Sequence, residues 1–183
     1  FIPPFAYYVM AVTQMVIDNW YDTFWLNCFF WMFIGTVGMF LWAKEWLSPI
    51  EAIFVAAFFA FAPYHRFQIY HFILFAEFAA MGILPFCFWT VTRLIRRGTA
   101  KDFILFSISF ALLILTHIPT TILGAIGLGI YSLFLLDWKK PTVIKLLSAG
   151  ALSISATSFY WLRLATEMSW VKHTADNYTV DFI

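Results

Sequence analysis

Six long apolar stretches separated by short polar turns constrain this chain more than any other feature. A helix needs about 20 residues to cross the hydrocarbon core of a bilayer. Only 11% of the residues are charged, whereas soluble domains carry about a quarter. The sequence therefore predicts an all-α, polytopic transmembrane helix bundle. Its six predicted spans cover residues 23–43, 46–62, 70–92, 102–116, 120–136 and 142–162.

The segment that precedes the first span is apolar but short. Residues 5–17 number only 13, which is too few to span comfortably, and they follow Pro3-Pro4. We expect an interfacial or partly re-entrant helix within an outer segment, 1–22, followed by the bundle, 23–162, and the start of an extracytoplasmic segment, 163–183. The chain begins without Met and ends in a polar stretch, which indicates a fragment of a longer protein.

Basic residues fall in alternate connections between the predicted spans. They are Lys44, then Arg93, Arg96, Arg97 and Lys101, then Lys139, Lys140 and Lys145. Short loops rich in Lys and Arg stay cytoplasmic, so these connections are predicted to lie inside. Residues 18–22, 63–70 and 116–120, and those after 162, are then outside.

Three further composition features bear on packing and partners. The sixth span is rich in Ser, Ala and Gly, small residues that let helices approach closely, so we expect it inside the bundle. Cys28 and Cys87 each lie in an apolar run and are expected to be buried and unpaired. The net charge of +1 argues against nucleic acid as a partner, because binding phosphates requires a concentrated basic surface.

Candidate binding residues cluster on the predicted outer side. Glu77 is expected two turns into an apolar span, where an ionisable group is costly and marks a functional site by default. The predicted loop 63–71 contains His65 and Arg66, which can donate hydrogen bonds to a phosphate. Two alternatives stay open: Glu77 as a hydrogen-bonded structural carboxyl, and the loop as an interfacial anchor.

His117 lies in a tight turn between two short spans, where an imidazole is more often structural than a ligand. No metal-binding spacing such as HExxH or CxxC occurs, so we assign no metal ligands. A site made from His65, His71, His117 and His173 would require assembly in three dimensions. The cofactor is unknown from sequence, and a divalent metal stays open.

Several short motifs occur in an order that resembles a known family. That family is the bacterial membrane proteins related to 6-pyruvoyl-tetrahydropterin synthase, which are similar to the GT-C superfamily of polytopic glycosyltransferases. The motifs are Phe1-Ile2-Pro3-Pro4, Ala62-Pro63-Tyr64, Tyr70 with Glu77 seven residues later, Leu115-Thr116-His117-Ile118-Pro119, and Tyr160-Trp161-Leu162 with Glu167.

The resemblance implies an enzyme of the bacterial cytoplasmic membrane that transfers a sugar from a polyprenyl-phosphate donor at the extracytoplasmic face. The superfamily's catalytic acidic residue is expected upstream of Phe1, and an Arg common in the family is replaced here by Phe72. The implied partners are membrane lipid and the polyprenyl-phosphate sugar, whereas other membrane subunits as partners stay open. The implied binding residues are His65, Arg66, Tyr70, Glu77, His117 and Glu167.

A rival hypothesis is a non-catalytic subunit of a larger membrane complex that contacts lipid or pigment through its aromatic surface. A transporter is the third class considered. Transporters place charged residues near the midplane on several helices, and Glu77 alone approaches that depth in the predicted spans. The glycosyltransferase hypothesis therefore leads.

Overall fold

The computed structural model describes residues 4–70 and 74–167, and these ranges contain helices and no strands. The all-α bundle predicted from the sequence is confirmed. Its helices in chain order are α1 (Pro4–Gln14), α2 (Trp20–Ala43), α3 (Pro49–Ala60), α4 (Pro63–Tyr70), α5 (Phe75–Arg97), α6 (Ala100–Thr116), α7 (Ile118–Leu135), α8 (Lys140–Ala156) and α9 (Ser158–Glu167).

Helix α5 is the central helix of the bundle and packs against α2, α6 and α7. Glycines bring it close to α2. A Cβ atom on Gly82 would lie 2.7 Å from the carbonyl oxygen of Trp31, and one on Gly35 would lie 2.9 Å from the Cα of Gly82. Apolar side chains gain little by leaving lipid for a helix contact, so close packing at small residues holds such a pair together.

The three positively charged connections meet at one end of the bundle, which we call the basic end. The Arg96 guanidinium donates a hydrogen bond to the carbonyl oxygen of Glu45 at 2.8 Å and lies 3.9 Å from the ring centroid of Trp46. The Lys145 ammonium donates to the carbonyl oxygen of Gly98 at 2.8 Å. These contacts join the α2–α3 connection, the α5–α6 connection and α8, as the alternation of basic loops predicts.

The turn between α5 and α6 is held by a buried ion pair. Gly98 ends α5 with a φ of 60°, a left-handed conformation in which glycine is favoured. Thr99 then caps α6, and its hydroxyl donates to Asp102 at 2.7 Å. Arg93 donates to the other oxygen of the Asp102 carboxylate at 2.8 Å, so every oxygen of this buried carboxylate is satisfied.

Helix α1 packs along the side of the bundle, against α2, α5 and α6. Its Ala6 is fully buried, and the Phe5 ring lies 6.0 Å from the ring of Trp31. Trp31 follows the start of α2 by about three helical turns. The Tyr7 ring lies 5.6 Å from that of Phe75, at the first turn of α5. The first turn of α1 therefore contacts both the middle of α2 and the start of α5.

The predicted count of six spans is not confirmed. Within the described ranges, four helical stretches are long and apolar enough to cross a membrane: Trp20–Ala43, Pro49–Tyr70, Phe75–Arg97 and Ile118–Leu135. Helices α8 and α9 make a fifth if they count as one span, although they are bent by 64° at Thr157. Helix α6 has 17 residues and is about 25 Å long, shorter than a hydrocarbon core of about 30 Å.

The expectation that the sixth span lies inside the bundle is wrong. Only Ala149 and Ser153 of α8 are buried. The Ser153 hydroxyl donates to the carbonyl oxygen of Ser107 at 3.0 Å, so one face of α8 packs on α6 while the rest stays exposed. Cys28 and Cys87 are buried and free, as expected.

Candidate functional site

Glu77 lies in the first turn of α5, at the end of that helix opposite the basic end. The sequence predicted it two turns into the span, but the helix begins at Phe75 instead of Tyr70. Glu77 is therefore near the helix end and half-buried. A carboxylate in the first turn is stabilised by the unpaired backbone N–H groups and the positive end of the helix dipole.

Residues 63–71 were predicted to form a loop, but residues 63–70 form helix α4. Pro63 stands at the start of the helix, where its missing N–H costs little. Tyr64 and Gln68 are four residues apart and so share a helix face. Both bind Glu77: the Tyr64 hydroxyl and the Gln68 amide, the latter at 3.1 Å, donate to its Oε1 atom. We call Tyr64, Gln68 and Glu77 the Glu77 cluster.

Both hydrogen bonds of the Glu77 cluster end on the same carboxylate oxygen. The other oxygen, Oε2, has no hydrogen-bond partner among residues 4–70 and 74–167. A carboxylate oxygen accepts hydrogen bonds strongly, so Oε2 can accept one from a hydroxyl group of a ligand. The sequence indicated Glu77 itself but missed Tyr64 and Gln68 as its partners.

His117 joins α6 to α7 and caps the second of these helices. Its Nδ1 atom accepts a hydrogen bond from the backbone N–H of Thr120 and lies 2.8 Å from the Thr120 hydroxyl oxygen. An imidazole whose Nδ1 is an acceptor carries its proton on Nε2. In this state His117 keeps one N–H donor for another partner.

Burial lowers the pKa of His117, and the nearby negative charge of Glu77 partly offsets this effect. The imidazole is therefore neutral near pH 7, which agrees with its capping geometry. His117 and Glu77 belong to the same end of the bundle, because α5 and α6 are joined by a short turn and pack on each other, which places the start of α5 beside the end of α6.

Arg66 and Tyr70 lie on an exposed side of α4. Together with Pro63 and Phe67 they line a surface groove of about 250 Å³. The Tyr70 ring also contacts Trp25 of α2, at a centroid distance of 5.6 Å. Arg66 has no ion-pair partner within the described residues, so its guanidinium is available to an anion.

His65 does not share the exposed side of α4 with Arg66. It is 4% exposed, and its ring lies 4.7 Å from that of Phe59 and 5.8 Å from that of Phe78. The structure therefore does not bring His65 and Arg66 together as a phosphate clamp, because successive residues of a helix point about 100° apart. His65 instead packs α4 against α3 and α5.

Glu167 lies at the end of α9, far along the chain from the Glu77 cluster. It forms an ion pair within its own helix. Its Oε1 atom accepts a hydrogen bond from Arg163 at 3.1 Å, one helical turn earlier. No hydrogen bond or ion pair joins Glu167 to α4 or α5 within the described residues.

The region that the structure describes contains no group of three or more His, Cys, Asp or Glu residues able to hold a metal ion. His71, Phe72 and His173 lie outside that region.

The arrangement of apolar helices around a polar end agrees with the comparison to known families. A family model described as "6-pyruvoyl-tetrahydropterin synthase related domain; membrane protein" matches residues 1–180. The chain belongs to this family. It is therefore a membrane protein in contact with lipid, as the composition predicts. Neither a curated protein nor a solved structure matches this member of the family.

Proposed function

We propose that this protein is a GT-C-like glycosyltransferase of the bacterial cytoplasmic membrane. It transfers a sugar from a polyprenyl-phosphate donor at the extracytoplasmic face. One observation carries the proposal: within the described residues, the Arg66 guanidinium has no ion-pair partner and one carboxylate oxygen of Glu77 has no hydrogen-bond partner, and the two groups lie on opposite sides of the short helix α4. That helix lies at the end of the bundle opposite the basic end.

Each of these groups suits one part of a lipid-linked sugar. The Arg66 guanidinium can hold the phosphate through two parallel hydrogen bonds. Glu77 Oε2 can accept a hydrogen bond from a sugar or acceptor hydroxyl, and the His117 Nε2–H can donate one to an oxygen. Tyr70, beside Arg66 in the groove, offers a ring face against which a sugar can pack. The catalytic acidic residue belongs to the chain upstream of Phe1 in this proposal.

Replacing Arg66 with Ala is expected to raise the KM for a polyprenyl-phosphate sugar by about 10-fold or more, because a charge-assisted hydrogen bond contributes about 1.5–3 kcal/mol. The measurement is transfer of radiolabelled sugar in membranes containing the full-length protein. Arg66→Lys, which keeps the charge but loses the two-pronged geometry, should lie between Ala and wild type.

Lys101→Ala is the matched control, because Lys101 is an exposed cation at the basic end and should leave transfer unchanged. An unchanged KM in Arg66→Ala would remove this residue from the donor site.

A full-length wild-type protein that transfers no sugar from a set of polyprenyl-phosphate donors would favour the non-catalytic subunit. The extensive exposed aromatic surface, which includes Phe58, Phe61 and Phe134, fits such a role.

The proposed orientation predicts the labelling pattern of two single cysteines. Arg66→Cys should react with a membrane-impermeant maleimide in intact cells, and Arg97→Cys should react only after the membrane is opened. Both positions are exposed, whereas Gln68 is buried and so unsuitable for labelling. The native Cys28 and Cys87 are buried and should give little background. The reverse pattern would contradict the orientation.

A further inference from the structure

An apolar groove separates α7 from α8. Helix α7 packs on α5 and α6, and α8 packs on α6 and α5, so the two consecutive helices stand apart above a shared floor. The space between them has a volume of about 590 Å³. Its lining includes Val91 and Phe106 on the floor, Leu133 on α7, Leu136 directly after α7, and Leu147 and Ile154 on α8.

Two glycines leave part of this groove empty of side chains from the described residues. Gly129 on α7 and Gly150 on α8 both line the space, and a Cβ atom added to either would meet no atom within 4 Å. Leu133 and Leu147, which are 55% and 67% exposed, also line it. The groove therefore presents a continuous apolar surface to whatever lies beside the bundle.

The length of the groove suits one acyl chain of a lipid. Along α8 it runs from Val143 to Ile154, a distance of about 16 Å at 1.5 Å per residue. This is about half of a hydrocarbon core that is about 30 Å thick, which is the depth that the acyl chains of one leaflet occupy.

The groove ends at the basic end, beside the connection between α7 and α8. Trp138 lines this end and is 65% exposed, as is typical of tryptophan at the level of lipid headgroups. It has a φ of 56°, a left-handed conformation that bulky residues rarely adopt. Such local strain persists where the surrounding structure requires it and often marks a binding site.

One cation at this end of the groove is available to an anion. Lys139 forms an ion pair with Asp137 at 3.0 Å, and its hydrogen bond lowers the pKa of the Asp137 carboxyl. The negative charge of Asp137 therefore offsets the positive charge of Lys139. Lys145 is bound to the carbonyl oxygen of Gly98. Lys140 is exposed and has no ion-pair partner in the part of the chain that the structure describes.

We propose that the groove between α7 and α8 binds an anionic phospholipid, with one acyl chain between the helices and the phosphate beside Lys140. The apolar lining and the length of one leaflet match the acyl chain, and Lys140, which has no ion-pair partner among the described residues, matches the phosphate. Basic pockets between helices at the cytoplasmic surface are a recognised form of anionic-lipid site. The site lies at the end opposite Arg66 and the Glu77 cluster and does not depend on the proposed glycosyltransferase activity.

Photo-crosslinking in nanodiscs tests this lipid site. The full-length protein carries p-benzoylphenylalanine at Leu147, inside the groove, in a bilayer of equal amounts of phosphatidylglycerol and phosphatidylcholine. Mass spectrometry then gives the ratio of the two lipids among the adducts. We expect phosphatidylglycerol to be enriched about fivefold, since one Lys near a membrane surface contributes about that factor.

Leu152 provides the matched control, because it is exposed on the same helix but faces roughly 140° away from Leu147. Its adducts should reflect the bulk lipid ratio. Lys140→Ala should abolish the enrichment at position 147, and Gly150→Leu, which fills the groove, should lower the yield of lipid adducts there. A crosslink from position 147 to a peptide, or a bulk lipid ratio at both positions, would overturn the proposal.

Discussion

Sugar transfer is expected to fall about 100-fold when Glu77 is replaced by Gln, with no loss of folded protein. The Gln side chain keeps an oxygen that can accept the hydrogen bonds of Tyr64 and Gln68. It places an NH₂ group where Oε2 was, so an anionic acceptor becomes a neutral donor. Loss of a charged hydrogen bond and its replacement by a mismatched donor is worth about 2–3 kcal/mol, which corresponds to about two decades in rate.

This substitution separates the two interpretations of Glu77. If the carboxyl only fixes α4 on α5, Gln preserves that role and transfer stays near the wild-type rate. If Oε2 binds a substrate hydroxyl, the rate falls while the protein level and thermal stability do not. The measurement is kcat/KM for transfer in membranes, normalised to the amount of folded protein.

Glu51→Gln serves as the control for Glu77→Gln. Glu51 is also in the first turn of a helix, where its carboxylate accepts a hydrogen bond from the backbone N–H of Ser48 at 2.9 Å. Gln can form the same capping interaction. Since Glu51 lies next to the basic end, transfer and stability should both remain close to wild type.

The largest loss of stability is expected for Gly82→Leu. The Cβ atom would lie 2.7 Å from the carbonyl oxygen of Trp31, and backbone atoms cannot move aside as a flexible side chain can. Helices α2 and α5 must then separate, which weakens the central contact of the bundle. We expect a cost of about 3 kcal/mol, at the upper end of the range for overpacking.

This effect is measured by heating the protein in detergent and recording the temperature at which half of the monodisperse protein is lost. Gly150→Leu is the matched control, since a Cβ atom at position 150 meets nothing within 4 Å and leucine there faces the open groove. Its midpoint should change little. Equal midpoints for the two variants would show that the α2–α5 contact yields more easily than its geometry indicates.

The sequence was sufficient to predict the features that the bilayer itself imposes. Apolar stretches of spanning length indicated the helices, and the positions of Lys and Arg indicated which connections share an end. The packing of the helices was harder to predict from the sequence. The small residues of α8 suggested an interior helix, but Gly150 and Ala151 line an open groove. The central position of α5 depends on Gly82 meeting the backbone of α2, a pairing that no pattern within one segment encodes.

The sequence predicted only part of the candidate site. Glu77 stood out because a carboxyl in an apolar stretch is costly. Its partners Tyr64 and Gln68 were missed because residues 63–71 were interpreted as a loop. Their spacing of four residues after Pro63 was the available signal. His65 was grouped with Arg66 by proximity in sequence, whereas the helix turns the two side chains to different surroundings.

The contacts at the basic end make orientation and folding depend on the same side chains. Arg96 and Lys145 belong to the basic clusters that, by the positive-inside rule, are expected to keep their connections in the cytoplasm, and in the finished bundle they join the α5–α6 turn to neighbouring helices. A substitution that removes one of these charges in order to invert the protein would therefore also remove a hydrogen bond between helices. An inverted variant made in this way is expected to be less stable than the wild-type protein.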